Sequence, residues 1–80
     1  MFLMQANIII FGQLTEITGT SNLVLTGITD TNALIKELNR KYPDLVNVKY
    51  MIAVDKKVVT ENVFFNEYST IALMPPFSGG

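Results

Sequence analysis

Two short, mostly apolar segments, Ala6–Phe11 and Thr70–Met74, stand near the two ends of an 80-residue chain and bracket a single run with helical spacing. A chain this short builds one core and buries little more than half of its unfolded surface, so both segments have to lie in that core. Ala6–Phe11 (Ala-Asn-Ile-Ile-Ile-Phe) reads as a strand apolar on both faces, hence central. Thr70–Met74 reads as the last strand, stopped by Pro75-Pro76 because proline brings no amide donor to a ladder.

Between them, Gly12 and Gly19 bracket a polar stretch that reads as a turn or loop, and Asn22–Thr26 alternates as a second strand closing at Gly27. Thr29 or Asp30 caps a helix whose apolar stripe is Leu34, Ile35, Leu38 and Tyr42. Arg40 and Lys41 fall in its last turn, where cations complement the dipole, and Pro43 ends it. After a loop containing Leu45 and Val48, Met51–Val54 is a third strand; Asp55-Lys56-Lys57 turns it into a short fourth at Val58-Val59. The order ββαβββ gives an α+β roll, with a mixed sheet of about five strands packed on one main helix. The two end strands are the most apolar, so they are expected side by side in the middle and parallel.

If Ile8, Ile10, Val59, Ile71 and Leu73 face the helix, alternation sends Phe11, Val58, Ala72 and Met74 to the other face. An apolar patch there is expected to be an interface.

Composition excludes several kinds of chemistry. The chain has no cysteine and no histidine, so there is no disulfide framework, no thiol chemistry and no ordinary zinc site; no metal is expected. Its seven carboxylates show no spacing that suggests an acid–base couple, and no nucleophile–base pair exists. Net charge is −1, and the pairs Arg40-Lys41 and Lys56-Lys57 are too short for a phosphate-neutralising surface, so nucleic acid is not an expected partner. Met1-Phe2-Leu3-Met4 is apolar but is interrupted by Gln5 and Asn7 and lacks a basic flank; it reads as neither a signal peptide nor a span, which takes about 20 apolar residues. A cytoplasmic protein with no membrane association is expected.

The C-terminal residues offer a different kind of chemistry. Residues 75–80 read as an extended tail on a domain formed by residues 1–74. Pro75 and Pro76 hold φ near −65° and carry the strand direction outward, Phe77 supplies an apolar anchor, and Ser78 leads to Gly79-Gly80. Two residues without Cβ thread a channel too narrow for any other pair and deliver a main-chain carboxylate into it. A carboxylate is a poor electrophile until activated; ATP converts it to an acyl-adenylate, and a sulfur nucleophile displaces AMP to leave a thiocarboxylate. All of this needs partner enzymes, so the chain reads as a substrate or carrier rather than a catalyst.

In Ile10-Phe11-Gly12-Gln13-Leu14-Thr15-Glu16 with Gly19, in Ala53-Val54-Asp55, and above all in Ala72-Leu73-Met74-Pro75-Pro76-Phe77-Ser78-Gly79-Gly80, the chain resembles the ubiquitin-like sulfur carriers of the MoaD/ThiS family. The Pro-Pro-x-x-Gly-Gly ending is similar to the branch that serves as small subunits of molybdopterin synthases. The resemblance implies a β-grasp fold and a Gly80 carboxylate that an ATP-dependent adenylyltransferase, similar to ubiquitin-activating enzymes, adenylates before it becomes a thiocarboxylate. It also implies sulfur donation to cyclic pyranopterin monophosphate in molybdenum cofactor biosynthesis, within a heterotetramer of two large and two small subunits. No permanently bound cofactor is implied; ATP is used by the activating enzyme.

The family's docking patch maps onto Phe11, Val58 and Met74, and the tail contacts onto Pro75, Pro76, Phe77 and Ser78. An arginine common in the first motif is Thr15 here, and Tyr68-Ser69 replaces a Gly-Asp turn, so that turn is expected to differ in shape. Alternative readings are a carrier for thiazole formation or tRNA thiolation, a ubiquitin-like protein modifier, and an interaction module.

Overall fold

A computed structural model describes residues 5–76, with the elements β1 (Gln5–Ile10), α1 (Leu14–Thr18), β2 (Asn22–Thr26), α2 (Thr31–Lys41), a 3₁₀ segment (Pro43–Asn47), β3 (Met51–Val54), β4 (Lys57–Val59) and β5 (Ile71–Met74). The expectations placed on Met1–Met4 and on Phe77, Ser78, Gly79 and Gly80 concern residues outside that range.

The five strands form one mixed sheet in the order β2-β1-β5-β3-β4. As expected from their composition, β1 and β5 lie side by side and run parallel, Ile8 opposite Ile71 and Ile10 opposite Leu73. β3 is antiparallel to β5 on its other side, so β5 is held by hydrogen bonds along both edges and its direction is fixed.

One face of the sheet is covered. Ile8, Ile10, Ile52, Ile71 and Leu73 from the strands meet Leu34 and Leu38 of α2, together with Leu14, Leu45 and Phe65, in one buried cluster. β1 differs from its sequence reading. It buries Ala6, Ile8 and Ile10 and exposes Gln5, Asn7 and Ile9, so it is apolar on both faces in composition but covered on only one. Position in the middle of a sheet does not require two covered faces when the described residues supply a helix layer on one side only.

The segment between Gly12 and Gly19 is also not a loop. Leu14–Thr18 is a turn of helix, closed by the Gly19 amide on the Thr15 carbonyl at 2.7 Å, with Gly19 left-handed at φ 75° as the C-terminal residue requires. Leu14 is its buried anchor. Within α2, Leu34 and Leu38 are fully buried as expected, Tyr42 is half-buried just past the end, and Ile35 turns to the surface.

Asp30 is the cap of α2: its carboxylate accepts from the Ala33 amide at 2.8 Å. The same corner is sewn to the chain before β5. The Thr31 amide donates to the Val63 carbonyl at 3.0 Å, the Val63 amide to the Thr31 hydroxyl at 2.9 Å, and the Asn32 amide to Asn62 Oδ1 at 2.8 Å. Through these bonds the irregular stretch before β5 is tied down without a strand of its own.

The β3–β4 hairpin turns on Asp55 (φ 51°) and Lys56 (φ 71°), both left-handed, as a two-residue connection between right-twisted strands demands. Asp55 also joins the hairpin to β5, accepting from the Thr70 amide at 3.0 Å through its side chain and donating its own amide to the Thr70 carbonyl at 2.8 Å. The turn at residues 66–69 closes differently, with no left-handed residue. The Tyr68 amide donates to Asn66 Oδ1 at 2.8 Å and the Asn66 amide to Ser69 Oγ at 2.9 Å. Asparagine and serine side chains thus replace the backbone freedom a glycine would bring.

Candidate functional site

Among the described residues no helix lies over the sheet face opposite α2, and the register shows what shares it. Ile9 pairs with Ala72, Ala72 with Ala53, and Ala53 with Val58, which makes one row across β1, β5, β3 and β4. The neighbouring row holds Met51 opposite Met74, and Phe11 one residue beyond β1. The Phe11 amide donates to the Leu73 carbonyl at 2.9 Å, which holds its backbone against β5. Ile9, Phe11 and Val58 leave 44%, 47% and 48% of their surfaces exposed, and Met51, Ala72 and Met74 are half-buried.

Phe11, Val58 and Met74, named from the sequence, therefore lie together on the uncovered face. Ile9, Met51 and Ala53 were missed. Ile9 carried a readable signal, since it stands two residues before Phe11 and shares its face by alternation. Met51 and Ala53 needed the β3–β5 register, which no local pattern contains.

This patch lies beside the strand from which the tail departs. Met74 ends β5, Pro75 is half-buried, and Pro76 is exposed. Pro76 borders two surface cavities. One, of about 430 Å³, lies between α1 and the chain at Asn47–Lys49, and Gln13, Ile17, Val48 and Pro75 line it. The other, of about 540 Å³, lies between α2 and the β3–β4 pair, with Ile35, Met51 and Val58 in its wall. Phe77, Ser78, Gly79 and Gly80 belong to the tail outside the described residues.

No group of three or more acidic side chains converges on a metal-sized space among the described residues. The clearest ionic contact is Arg40 with Glu37 on the outer side of α2, at 2.9 and 2.6 Å. The Arg40 hydrogen bond holds the Glu37 carboxyl below its ordinary range; Arg40 is exposed and Glu37 half-buried at the surface, where such a pair contributes little. Burial pushes the Tyr50 phenol up, as a hydroxyl half out of water requires. Thr15 turns its hydroxyl back to the Gly12 carbonyl at 2.8 Å. Among the described residues no helix is long and apolar enough to cross a membrane.

A sequence model of the ThiS family matches residues 8–80. The chain belongs to the ThiS family. The resemblance to ubiquitin-like sulfur carriers is thus established for nearly the whole chain, tail included. A molybdopterin synthase sulfur carrier subunit of Arabidopsis thaliana is 28% identical over 81 residues, covering 95% of this chain and 83% of the plant protein.

Two solved structures share the fold. The small archaeal modifier protein 1 of Methanosarcina acetivorans superposes with a TM-score of 0.76 at 20% identity, covering all of both chains. That of Haloferax volcanii does so with a TM-score of 0.73 at 17% identity, over 95% of this chain and 99% of its own. At such identities the likeness establishes the β-grasp fold: a mixed five-stranded sheet on one main helix. This ThiS-family chain thus has an apolar sheet face open among the described residues, and a strand of fixed direction that leads into Pro75.

Proposed function

We propose that the chain is a sulfur carrier for molybdopterin formation, acting through the carboxylate of Gly80. The observation that carries this reading is the extent of the family match, which includes the tail to residue 80 rather than stopping at β5. An ATP-dependent adenylyltransferase of the ubiquitin-activating kind binds the carrier. One Gly80 carboxylate oxygen attacks the α-phosphorus of ATP, forming an acyl-adenylate and releasing pyrophosphate. A sulfur nucleophile at the sulfide level then attacks the carbonyl carbon; the bond to AMP breaks and a thiocarboxylate remains.

The charged tail enters the large subunit of molybdopterin synthase and gives its sulfur to cyclic pyranopterin monophosphate. Two such transfers complete the dithiolene, and water restores the Gly80 carboxylate each time. The carrier contributes reach, docking and a disposable acyl group; Pro75, Pro76, Phe77 and Ser78 line the entry, and Gly79 keeps the last step free of side chains. Reconstitution tests the pathway. Thiocarboxylated chain, the large subunit and cyclic pyranopterin monophosphate are expected to yield molybdopterin, whereas product formed only with a thiazole-forming or tRNA-thiolating enzyme would assign the carrier elsewhere.

The patch of Ile9, Phe11, Met51, Val58, Ala72 and Met74 is the docking surface for the large subunit in this reading. Phe11→Asp is expected to weaken that complex roughly 30-fold, about 2 kcal/mol, as the loss of a central aromatic contact does. Calorimetric titration reads the affinity and circular dichroism the folded population, which should change little. A variant that unfolds instead would put Phe11 in the core and remove the patch.

A further inference from the structure

Two residues before α1 begins, the chain makes a contact that no element on either side of it requires. Gly12 is left-handed at φ 64°, and a Cβ built on it would stand 2.8 Å from Cγ of Pro75 and 3.4 Å from Cδ. Gly19 and Gly27 are left-handed too, at φ 75° and 76°, yet a Cβ on either meets nothing within 4 Å. Gly12 thus combines an unusual backbone angle with a closely packed neighbour, and that neighbour is the first residue of the tail.

The neighbour is also one that cannot step aside. A long side chain relieves such a contact by rotating, but the pyrrolidine ring is bonded to its own backbone nitrogen, so Pro75 moves only if the main chain moves. Gly12 itself is anchored. Its carbonyl accepts from the Thr15 amide at 3.1 Å and the Thr15 hydroxyl at 2.8 Å, and the preceding Phe11 amide is bonded to Leu73 at 2.9 Å. The start of α1 and the end of β5 are therefore locked together, and the ring of Pro75 rests on the one position between them that carries no side chain.

We propose that Gly12 is a positioning residue for the tail: its bare Cα lets the Pro75 ring seat against the β1–α1 corner and so sets the direction in which the chain leaves β5. This rests on the sulfur-carrier reading. Five extended residues beyond Pro75 span roughly 17 Å, so a 10° tilt at the proline displaces the end of such a chain by about 3 Å. Attack of a carboxylate oxygen on the α-phosphorus of a fixed ATP, with loss of pyrophosphate, is degraded by misplacements of about 1 Å.

The test is ATP–pyrophosphate exchange by a ubiquitin-activating-like adenylyltransferase, measured on the full chain well below the melting temperature of every variant. Gly12→Ala is expected to lower kcat about tenfold with KM within about twofold, because the docking face is untouched. Gly19→Ala and Gly27→Ala carry the same backbone penalty without the clash; they should lower Tm by a few degrees and leave both constants unchanged. Removing the ring in the double variant Gly12→Ala/Pro75→Ala should bring kcat back to that of Pro75→Ala alone.

A Gly12→Ala kcat no different from that of Gly19→Ala would overturn the proposal, and so would failure of Pro75→Ala to restore it. No exchange with the wild-type chain would overturn the carrier reading itself. The positioning contact has a separate readout in the nuclear Overhauser effect between Gly12 Hα and the Pro75 ring protons, expected in the wild type and lost in Gly12→Ala.

Discussion

Removing Gly80 is expected to abolish sulfur acceptance while leaving the folded domain unchanged. The two outcomes separate because β5 ends at Met74, and the described residues of the buried core all precede it. Thermal unfolding should therefore match the full chain within a degree or so. Chemistry should not survive. The truncated carboxylate falls short by about 3.5 Å, against a tolerance of about 1 Å for attack on the α-phosphorus. Adenylation should drop by at least a factor of about 100, to the floor of a pyrophosphate-exchange assay. A chain lacking Gly80 that still supports molybdopterin formation would refute the tail's assigned role.

The second large effect is on stability. Leu73 is fully buried in the central strand, between β1 and β3. Truncation to alanine leaves a cavity that two hydrogen-bonded neighbours prevent from collapsing, and Leu73→Ala should cost about 3 kcal/mol. For a domain of this size that is roughly 15 °C in Tm and a large share of the total stability. Ile9→Ala, on the same sheet but on the open face, should cost about 1 kcal/mol, since nearly half of Ile9 is in water already. Urea titration of the two variants compares the faces directly. Equal losses would mean that the open face is packed in solution, and the docking surface would have to lie elsewhere.

Much of this architecture is written in short-range pattern. The strands announce themselves by composition, α2 by the spacing of Leu34 and Leu38 and by Asp30, and the stop at Pro75 by chemistry alone. Parallel pairing of the end strands follows from their being the most apolar segments around one helix. The failures have equally local causes. Leu14–Thr18 is one turn long and presents only two apolar residues, Leu14 and Ile17, to the core, too few to show a period, so glycines at both ends suggested a loop. Three isoleucines in a row suggested two covered faces for β1, whereas Ile9 faces out.

At the site, Phe11, Val58 and Met74 were legible from alternation, but Met51 and Ala53 came only with the register of β3 against β5. The Gly12–Pro75 contact was not legible at all. It joins residues 63 positions apart, and glycine's value there is the absence of an atom, which no pattern of apolar residues records.

The mass of the chain recovered from cells tests the central claim most directly. If the carboxylate of Gly80 is the working group, a fraction should be heavier by about 16 Da, sulfur in place of oxygen, with the gain confined to the C-terminal peptide. Recovery only as the unmodified chain, or as conjugates joined through Gly80 to lysines of other proteins, would contradict it.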